Sequence, residues 1–468
     1  MKKLTKRWQI ILYGCSGIGV NMLNIIVGSY LCSALLIGGF APEDIGLWTY
    51  IDKDLVIAGM WAVLAASMKI FDGLIDLPLS AFTDNLKTRW GRRRPSILIG
   101  YIPTLIAFVL FLFPIDQGPT VANTIWFVAL LGIFYGAYTL TMLTYYATFA
   151  EIVDNEKDRL MLGNTKSICD VVYFSLSFAL VPVFVNMGMN IRIVALCFMP
   201  MALTMLIPLF MIKEPSTKTV VLDDQGKSSK KDNIFKSVGR VFVGFFKSFG
   251  GAFVGFFKSF GVTVGNKKFM YWLCILATMN VGLQLFLTGI NEFFSTTGIN
   301  MTIVMASAFA PIPLTLMLYN YIIKKKGFRV AYMTIVAIYG FGMGLMYLCR
   351  QVSDPWLTII ALCCGIIVSF SIGAFFSVTY TIPSQLAEEA NKKGIACASS
   401  MYFAMQGLFE AISAAFAGSI ILVFLKQNGL VQYMTLIITG FCVVAFIMSI
   451  FLPKSMAYLG KKNKDDNV

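Results

Sequence analysis

The chain alternates between long apolar runs and short polar connections from one end to the other. Each apolar run is long enough to cross a bilayer, which takes roughly 20 residues in a helix. The runs lack the alternation of a membrane barrel, and open sheets cannot span lipid, so they predict transmembrane helices. The runs lie at residues 9–38, 55–83, 96–114, 121–150, 167–188, 193–212, 268–294, 301–323, 329–349, 355–383, 395–425 and 430–453. The pattern therefore predicts an all-α membrane protein with 12 transmembrane helices.

Composition supports this prediction. Charged residues make up 13% of the chain and hydrophobic residues 57%, whereas a soluble domain carries roughly a quarter charged residues. The first apolar run is too long for the core of a signal peptide, so we expect it to be retained as the first span. The ten cysteines are scattered singly apart from one adjacent pair, which favours small core residues over a disulfide framework.

Lys and Arg fall mainly in alternate connections. If the N-terminus is cytoplasmic, the cytoplasmic segments hold 33 of the 38 basic residues, and the outer loops hold only Lys53, Arg192, Arg350 and Lys426. Because basic residues concentrate in cytoplasmic loops, both termini are predicted to be cytoplasmic. The net charge of +14 is then explained by a basic face that meets anionic lipid heads, and we expect no nucleic-acid partner.

A polar linker at residues 214–267 separates six spans in residues 1–213 from six spans in residues 268–468. Two six-helix halves joined in this way are typical of the major facilitator fold. The linker holds an 11-residue repeat, FVGFFKSFGGA at 242–252 and FVGFFKSFGVT at 253–263. Its phenylalanines share one helical face, which predicts an amphipathic helix at the membrane surface.

The second span carries three ionisable residues, Lys69, Asp72 and Asp76. Spacings of three and four place them on one helical face. Ionisable groups inside a span are costly and usually face a cavity or a pathway. One interpretation is an ion pair that only holds helices together. Since one lysine neutralises one carboxylate, the second Asp favours a site for a coupling cation.

Other polar residues define candidate sites for a substrate and a gate. Asp84 lies at a helix end close to a basic turn, where opposite charges can latch helices together, although a plain cytoplasmic loop is the alternative. The basic turn contains Arg89, Arg92, Arg93 and Arg94. Candidate cavity residues are Asn280 and Gln284 in span seven, Gln406 and Glu410 in span eleven, and the sugar-stacking candidates Tyr145 and Tyr146 in span four. Packing alone is the alternative for Glu410 and for the two tyrosines.

The chain contains no histidine and no glycine-rich phosphate loop. Without an imidazole, no usual pairing of nucleophile and base can be assembled, so the sequence argues against an enzyme. A channel or a transporter-derived sensor is a further alternative, although a sensor is expected to carry a larger soluble domain. A secondary carrier that works by alternating access remains the main prediction.

Residues 72–95 read DGLIDLPLSAFTDNLKTRWGRRRP. This segment resembles the glycoside–pentoside–hexuronide:cation symporter family of the major facilitator superfamily. Weaker similarities extend along the chain: Tyr13-Gly14 and Asn21 in span one, Tyr138-Thr139 and Tyr145 in span four, Glu151 and Arg159 after it, and Ile382-Pro383-Ser384 after span ten. Together these matches cover most of the chain.

The resemblance implies roles for several residues. Asp72 and Asp76 match carboxylates that bind Na⁺, Li⁺ or H⁺, and Thr139 matches a hydroxyl ligand of the cation. Lys69 takes the place of an arginine, and we expect it to line the substrate cavity together with Asn21. Glu151 and Arg159 are expected to join the basic turn in a cytoplasmic gate. Oxygen ligands suit such hard cations. The resemblance therefore implies symport of a small sugar or glycoside across the inner (plasma) membrane, by a monomer that needs no cofactor beyond the coupling ion.

Some positions depart from the family pattern. Gly17 and Met142 stand where sugar-transporting members carry aspartates, and span eleven lacks the usual lysine. The cation site is thus largely retained, but the carboxylates that bind sugar are missing. The alternative is a major facilitator carrier of a non-sugar substrate, such as a lysolipid or another amphiphile, or an exporter.

Overall fold

A computed structural model describes residues 3–86, 88, 90–153, 156–215, 265–309, 311–353, 355–392 and 398–457, and this part of the chain is helical with no strand. We label the spans α1 to α12 in chain order. The first half contains α1 (Arg7–Leu35), α2 (Ala58–Asn85), α3 (Arg93–Leu110), α4 (Val121–Ala147), α5 (Glu156–Asn186) and α6 (Ile191–Met211). The second half contains α7 (Lys267–Thr297), α8 (Met301–Phe309 and Ile312–Lys326), α9 (Phe328–Gln351), α10 (Trp356–Lys392), α11 (Ala398–Ala414, Ala415–Ile421 and Leu422–Gln427) and α12 (Val431–Ile450).

Eleven helices in the described part are long and apolar enough to cross a membrane. The remaining predicted span, 301–323, corresponds to α8, which is divided into two shorter helices. Pro311 and Pro313 lie at the division, where the missing proline N–H groups interrupt the helical hydrogen bonds. Counted with α8, the twelve predicted spans are all present as helices.

The clearest differences from the predicted helix boundaries are at the start of α5 and at the end of α10. The α5 helix begins at Glu156 rather than near residue 167. The α10 helix runs on to Lys392 rather than ending near residue 383. The two helices α8 and α9 are joined through Gly327 alone, whose φ of 90° is a conformation that glycine adopts without strain. The repeat at 242–263 lies outside the described residues.

Large apolar side chains point outward along the spans. Examples are Ile102 and Ile106 on α3, Leu314 and Met317 on α8, and Phe210 on α6, each more than half exposed. On a water-soluble surface so many exposed apolar side chains would be unfavourable, whereas lipid tails accept them. The exposed face therefore supports a membrane-embedded bundle.

Among the described residues, the contacts between the two six-helix groups include three helix pairs: α1 with α7, α2 with α11, and α5 with α8. In the second pair, Gly73 of α2 crosses α11 closely, because a Cβ atom at Gly73 would lie 2.6 Å from Cβ of Ala411. In the third pair, the ring of Phe178 stacks on Phe309 with centroids 5.4 Å apart. These pairs enclose the space where the candidate site lies.

Candidate functional site

The polar face of α2 meets α4 at a single cluster. Lys69 Nζ lies 3.1 Å from Asp72 Oδ2, and the Thr139 hydroxyl donates to Asp72 Oδ1 at 2.8 Å. The lysine and aspartate side chains are 29% and 16% exposed, so the pair is partly shielded from solvent. Helical spacing places Lys69 and Asp72 together, but only the packing of α4 against α2 supplies the threonine.

Asp76 lies one turn beyond Asp72 on the same face of α2. It is exposed, and within the described residues no hydrogen bond or ion pair to its carboxylate is observed. The face lies beside the crossing of Gly73 and Ala411, at the boundary between the two halves. Two carboxylates and one hydroxyl close to each other form an oxygen-rich set of the kind that binds a hard monovalent cation.

A cavity of about 260 Å³ lies between the halves, on the side of this cluster that Lys69 faces. Its wall is formed by α1, α2, α4, α5, α7 and α11. Polar lining residues include Asn24, Ser29, Lys69, Gln284, Thr288 and Lys426, and the aromatic ones are Trp61, Tyr135, Phe174 and Phe178. Scattered polar groups among apolar and aromatic walls are typical of sites for small molecules.

Two π-helical segments frame this cavity. One is Ile26–Leu31 within α1, and the other is Ala415–Ile421 within α11. Gly28 and Ser29 from the first segment and Gly418 and Ser419 from the second line the cavity wall. Because π-turns are uncommon and often occur at functional sites, their position here supports a functional cavity.

Lys69 connects the carboxylate cluster to the cavity. Its Nζ contacts Asp72 and also lies 4.3 Å from the centroid of the Tyr135 ring, which lines the cavity. An ammonium over an aromatic face is electrostatically attracted to it. The lysine is therefore placed to respond to both a cation at Asp72 and a substrate in the cavity.

Of the other predicted cavity residues, only Gln284 lines the 260 Å³ cavity. Asn21, Tyr145 and Tyr146 border a separate space of about 10 Å³, roughly the volume of one water molecule. Asn21 accepts from the Tyr138 hydroxyl at 2.8 Å and donates to the Tyr146 hydroxyl at 3.3 Å. The Tyr145 ring is fully buried, and its hydroxyl donates to a backbone carbonyl of α1.

Asn280, Gln406 and Glu410 form a third group between α7 and α11. Gln406 Nε2 donates to Glu410 Oε1 at 2.9 Å, and Asn280 Nδ2 donates to the Glu410 backbone carbonyl at 3.1 Å. None of these three residues lines the 260 Å³ cavity. The Asn280 contact ties α7 to α11, in keeping with the packing alternative for Glu410.

Gly17 and Met142, the two positions that depart from the sugar-transporting pattern, are neighbours. A Cβ atom at Gly17 would lie 3.1 Å from Cε of Met142, which is 3% exposed. The methionine thus occupies space beside the glycine, and the nearby cavity is the small one. The 260 Å³ cavity is lined by neither Gly17 nor Met142.

The predicted cytoplasmic gate residues form a clamp within the first half. Arg92 Nη2 and Arg93 Nη2 lie 3.1 and 2.6 Å from Glu151 Oε1. The Arg93 backbone N–H donates to Glu214 Oε2 at 2.8 Å. Partial burial raises the pKa of Glu151, but the hydrogen bond and charge of Arg93, followed by those of Arg92, outweigh it and lower the pKa below its ordinary value. Arg94 is half-buried next to this clamp.

Arg89 and the side chains of Asp84 and Arg159 lie outside the described residues, so their part in a gate stays a prediction. The clamp joins the start of α3 to the segment after α4 and to the end of α6. It therefore stabilises one end of the first half.

Sequence reasoning missed two ion pairs, one partly exposed and one buried. On α5, Lys166 Nζ lies 2.5 Å from Asp170 Oδ2. The spacing of four would have revealed this pair had the fifth span been started one residue earlier. The second pair, Lys426 with Glu292, joins α11 to α7 at 2.8 Å. No local pattern signals it, because its members are far apart in the chain.

Among the described residues, no group of three or more His, Cys, Asp or Glu is arranged to hold a metal ion. The oxygen cluster of Asp72, Asp76 and Thr139 contains two carboxylates and one hydroxyl. It is held by α2 and α4 at the boundary with α11.

Comparison with known proteins places these features in context. The model of the MFS/sugar transport protein family matches residues 12–242. An uncharacterized symporter of Synechocystis sp. (strain ATCC 27184 / PCC 6803 / Kazusa) is 32% identical over 117 residues, or 23% of this chain and 22% of the relative. The chain therefore matches only about a fifth of that relative's length.

Solved transporter structures resemble the whole chain. A POT family transporter in complex with 5-aminolevulinic acid has a TM-score of 0.59 at 14% identity and covers 95% of both chains. The xylose transporter XylE from E. coli has a TM-score of 0.56 at 14% identity over 96% of this chain and 100% of its own. The nucleoside transporter NupG has a TM-score of 0.54 at 14% identity over 96% and 99%. These likenesses confirm the predicted fold, and the matched proteins are transporters, in agreement with the prediction against an enzyme.

Proposed function

From the match of residues 12–242 to the model of the MFS/sugar transport protein family, we propose that the chain is a symporter that couples a monovalent cation to uptake of a sugar or glycoside. The observation that carries the proposal is the cluster in which Lys69 and the Thr139 hydroxyl both contact Asp72 at the edge of the 260 Å³ cavity. A cation site and a substrate cavity that share a lysine can influence each other directly.

The proposed cation site consists of Asp72, Asp76 and Thr139. The ion, Na⁺, Li⁺ or H⁺, competes with Lys69 for the Asp72 carboxylate. When the ion binds, the lysine ammonium is released from this carboxylate and offers its N–H groups to a substrate oxygen in the cavity. Binding of either partner then favours the other, since coupling between two sites is reciprocal.

The cavity suits a small polar molecule with an apolar face. The Trp61 and Tyr135 rings provide flat surfaces for the C–H groups of a sugar, and Asn24, Gln284 and Thr288 provide hydrogen-bonding groups for hydroxyls. At about 260 Å³ the space is near the lower end of ligand pockets, which favours a small substrate over a long lipid.

Topology and energetics complete the proposal. Both termini face the cytoplasm, the protein lies in the inner membrane, and it acts as a monomer. A potential of about 100 mV supplies ~2.3 kcal/mol for each positive charge carried inward, enough for roughly fifty-fold accumulation of substrate. The two halves move about the central site, as in other carriers built from repeats.

One observation favours the second candidate function, a carrier of a non-sugar substrate. Met142 occupies the space beside Gly17, so no carboxylate binds a sugar hydroxyl at this position. If every glycoside fails in the assay below while another amphiphile is accumulated, this candidate replaces the sugar symporter.

The test uses purified protein in liposomes. Uptake of a glycoside panel is measured under imposed Na⁺, Li⁺ or H⁺ gradients, for the wild type and for Asp76→Asn. The wild type is expected to accumulate at least one glycoside with one of the ions. Asp76→Asn is expected to lose gradient-driven accumulation but to retain exchange of substrate at equal concentrations, since its cavity is unchanged. Equal accumulation by both proteins would remove Asp76 from the coupling site.

A further inference from the structure

Three side chains from three helices meet beside the 260 Å³ cavity. They are Ser33 of α1, Glu292 of α7 and Lys426 of α11. Lys426 Nζ lies 2.8 Å from Glu292 Oε1 and donates to the Ser33 carbonyl at 2.9 Å. The Ser33 hydroxyl also donates to Glu292 Oε1. The lysine and glutamate side chains are 3% and 0% exposed, so the ion pair is buried.

The cluster is divided unequally between the two halves. Glu292 and Lys426 both belong to the second half, whereas Ser33 belongs to the first. Separation of the halves would leave the ion pair intact, since its two members move together. Only the hydrogen bonds to Ser33 would break. Because isolating a buried charge is far more costly than breaking a few hydrogen bonds, this division makes opening feasible.

Neighbouring contacts at the same end also cross between the halves. Asn291 Nδ2 donates to the Ser29 carbonyl at 2.9 Å. The Ser295 hydroxyl donates to Asp44 Oδ2 at 2.6 Å and accepts from the Ala41 backbone N–H at 2.7 Å. The second half contributes side chains of α7 to each of these bonds, and the first half contributes α1 and the segment that follows it.

Close backbone packing also joins the two halves at this end of the bundle. Gly39 has a φ of 90°, and a Cβ atom there would lie 3.2 Å from Glu292 Cβ. Gly38 is tighter, because a Cβ atom there would lie 2.9 Å from the Lys426 carbonyl oxygen. Paired glycines therefore let the chain after α1 lie directly over the ends of α7 and α11.

We propose that Ser33, Glu292 and Lys426 form the outer gate of the substrate cavity, and that Ser33 is the contact released when the gate opens. This inference rests on the proposed transport function and on the predicted cytoplasmic N-terminus. Both Ser33 and Lys426 line the cavity, so the gate is also its roof. When Ser33 moves away, two N–H groups of Lys426 lose their acceptors and face the incoming substrate.

The test uses the native Cys32 as a reporter, because it lines the cavity directly beside Ser33. A membrane-impermeant maleimide is added to the outside of right-side-out vesicles, and the rate of Cys32 modification is measured. A Cys32→Ser protein gives the background from the other cysteines. Modification of the wild type is expected to be slow, since the cavity is roofed.

Two variants weaken the gate to different extents. Lys426→Met removes the crossing bonds from a charged donor and is expected to raise the modification rate roughly tenfold. Ser33→Ala removes one hydroxyl and is expected to give a smaller increase of a few-fold. The matched control is Arg350→Met, since Arg350 binds Gln432 at 2.6 Å at the same end of the bundle but within the second half. The control should label at the wild-type rate.

Should Lys426→Met fail to fold, Ser33→Ala and the neutral pair Lys426→Met with Glu292→Met provide the same comparison. Equal modification rates in the wild type, the gate variants and Arg350→Met would overturn the gate. The labelling needs neither substrate nor ion gradient. Faster labelling of the gate variants with no glycoside uptake would therefore retain the gate and refute the sugar symporter, whereas the reverse pattern would do the opposite.

Discussion

Replacement of Lys69 by methionine tests the competition at the centre of the proposed mechanism. The substitution removes the ammonium but keeps a similar unbranched apolar stem. Lys69 Nζ now neutralises Asp72 at 3.1 Å, where a bound cation would also lie. Without the lysine, a monovalent cation should bind more tightly, because a positive neighbour no longer repels it.

The magnitude follows from the geometry. A hard cation contacts a carboxylate oxygen at roughly 2.4 Å, which places it roughly 5 Å from Lys69 Nζ when both are near Asp72. Two unit charges at that separation repel by about 3 kcal/mol at an effective dielectric constant of about 20. The side chains are 29% and 16% exposed, so solvent reduces this value. We therefore expect cation affinity to rise by a factor of about 10 to 100.

The assay is calorimetric titration of Na⁺ and Li⁺ into purified protein in nanodiscs at fixed pH. Thermal unfolding provides a second readout: Lys69→Met should melt lower than the wild type without cation, and added cation should restore much of the difference. Gradient-driven accumulation should fall, since the lysine no longer links the ion to the cavity.

Two controls separate this effect from general changes in charge. Lys69→Arg retains the positive group and should keep an affinity close to that of the wild type. Lys166→Met removes another membrane-embedded lysine of the first half, one that pairs with Asp170 at 2.5 Å and with similar exposure. It should leave cation affinity unchanged. A folded Lys69→Met protein with equal or weaker cation binding would refute the competition.

Three further outcomes are expected. Thr139→Val should lower the melting temperature by the equivalent of about 1.5–3 kcal/mol, since it removes a hydrogen bond to a carboxylate. Thr141→Val on the same helix removes a hydroxyl that bonds a local carbonyl, so it should change the melting temperature little. Equal losses in the two variants would contradict the role assigned to Thr139. The wild-type melting temperature should fall as the pH drops through the lowered pKa of Glu151, because the ionised carboxylate stabilises the fold above the ordinary pKa of 4.5 and this stabilisation is lost on protonation. Glu151→Gln should lack this fall when melting is measured across acidic pH. An identical series in both proteins would count against the clamp. Gly73→Ala should lower the free energy of unfolding by about 1–3 kcal/mol and reduce uptake, because the added methyl group clashes with α11. Gly59 has open space around it, so Gly59→Ala should behave like the wild type in the same uptake and melting assays.

Much of the fold followed from local pattern. Runs of apolar residues require helices in lipid wherever they lie in the chain, because backbone polar groups must be satisfied within each segment. The exception was α8, where two prolines divide the helix although the apolar run is continuous. Hydropathy records the side chains and not the backbone N–H groups that proline removes.

The candidate site was only partly predictable. Lys69, Asp72 and Asp76 share a face because helical spacing fixes it, and the residues of the cation site were therefore visible in one segment. The family resemblance gave Thr139 as a ligand of the cation, and in the structure its hydroxyl donates to Asp72 at 2.8 Å. Which polar residues would line a common cavity could not be read in this way, and Gln284 lines it while Gln406 and Tyr145 do not.

The sequence by itself determined the membrane-spanning helices, the charge distribution along the chain and the polar face of α2. Each is a property of residues within about one span of each other. Only the tertiary structure decided that Ser33, Glu292 and Lys426 meet. They come from helices distant in sequence. Lys426, which was predicted to lie in an outer loop, is only 5% exposed. A buried charge needs a partner, and where that partner lies depends on how the two halves pack and not on any local pattern.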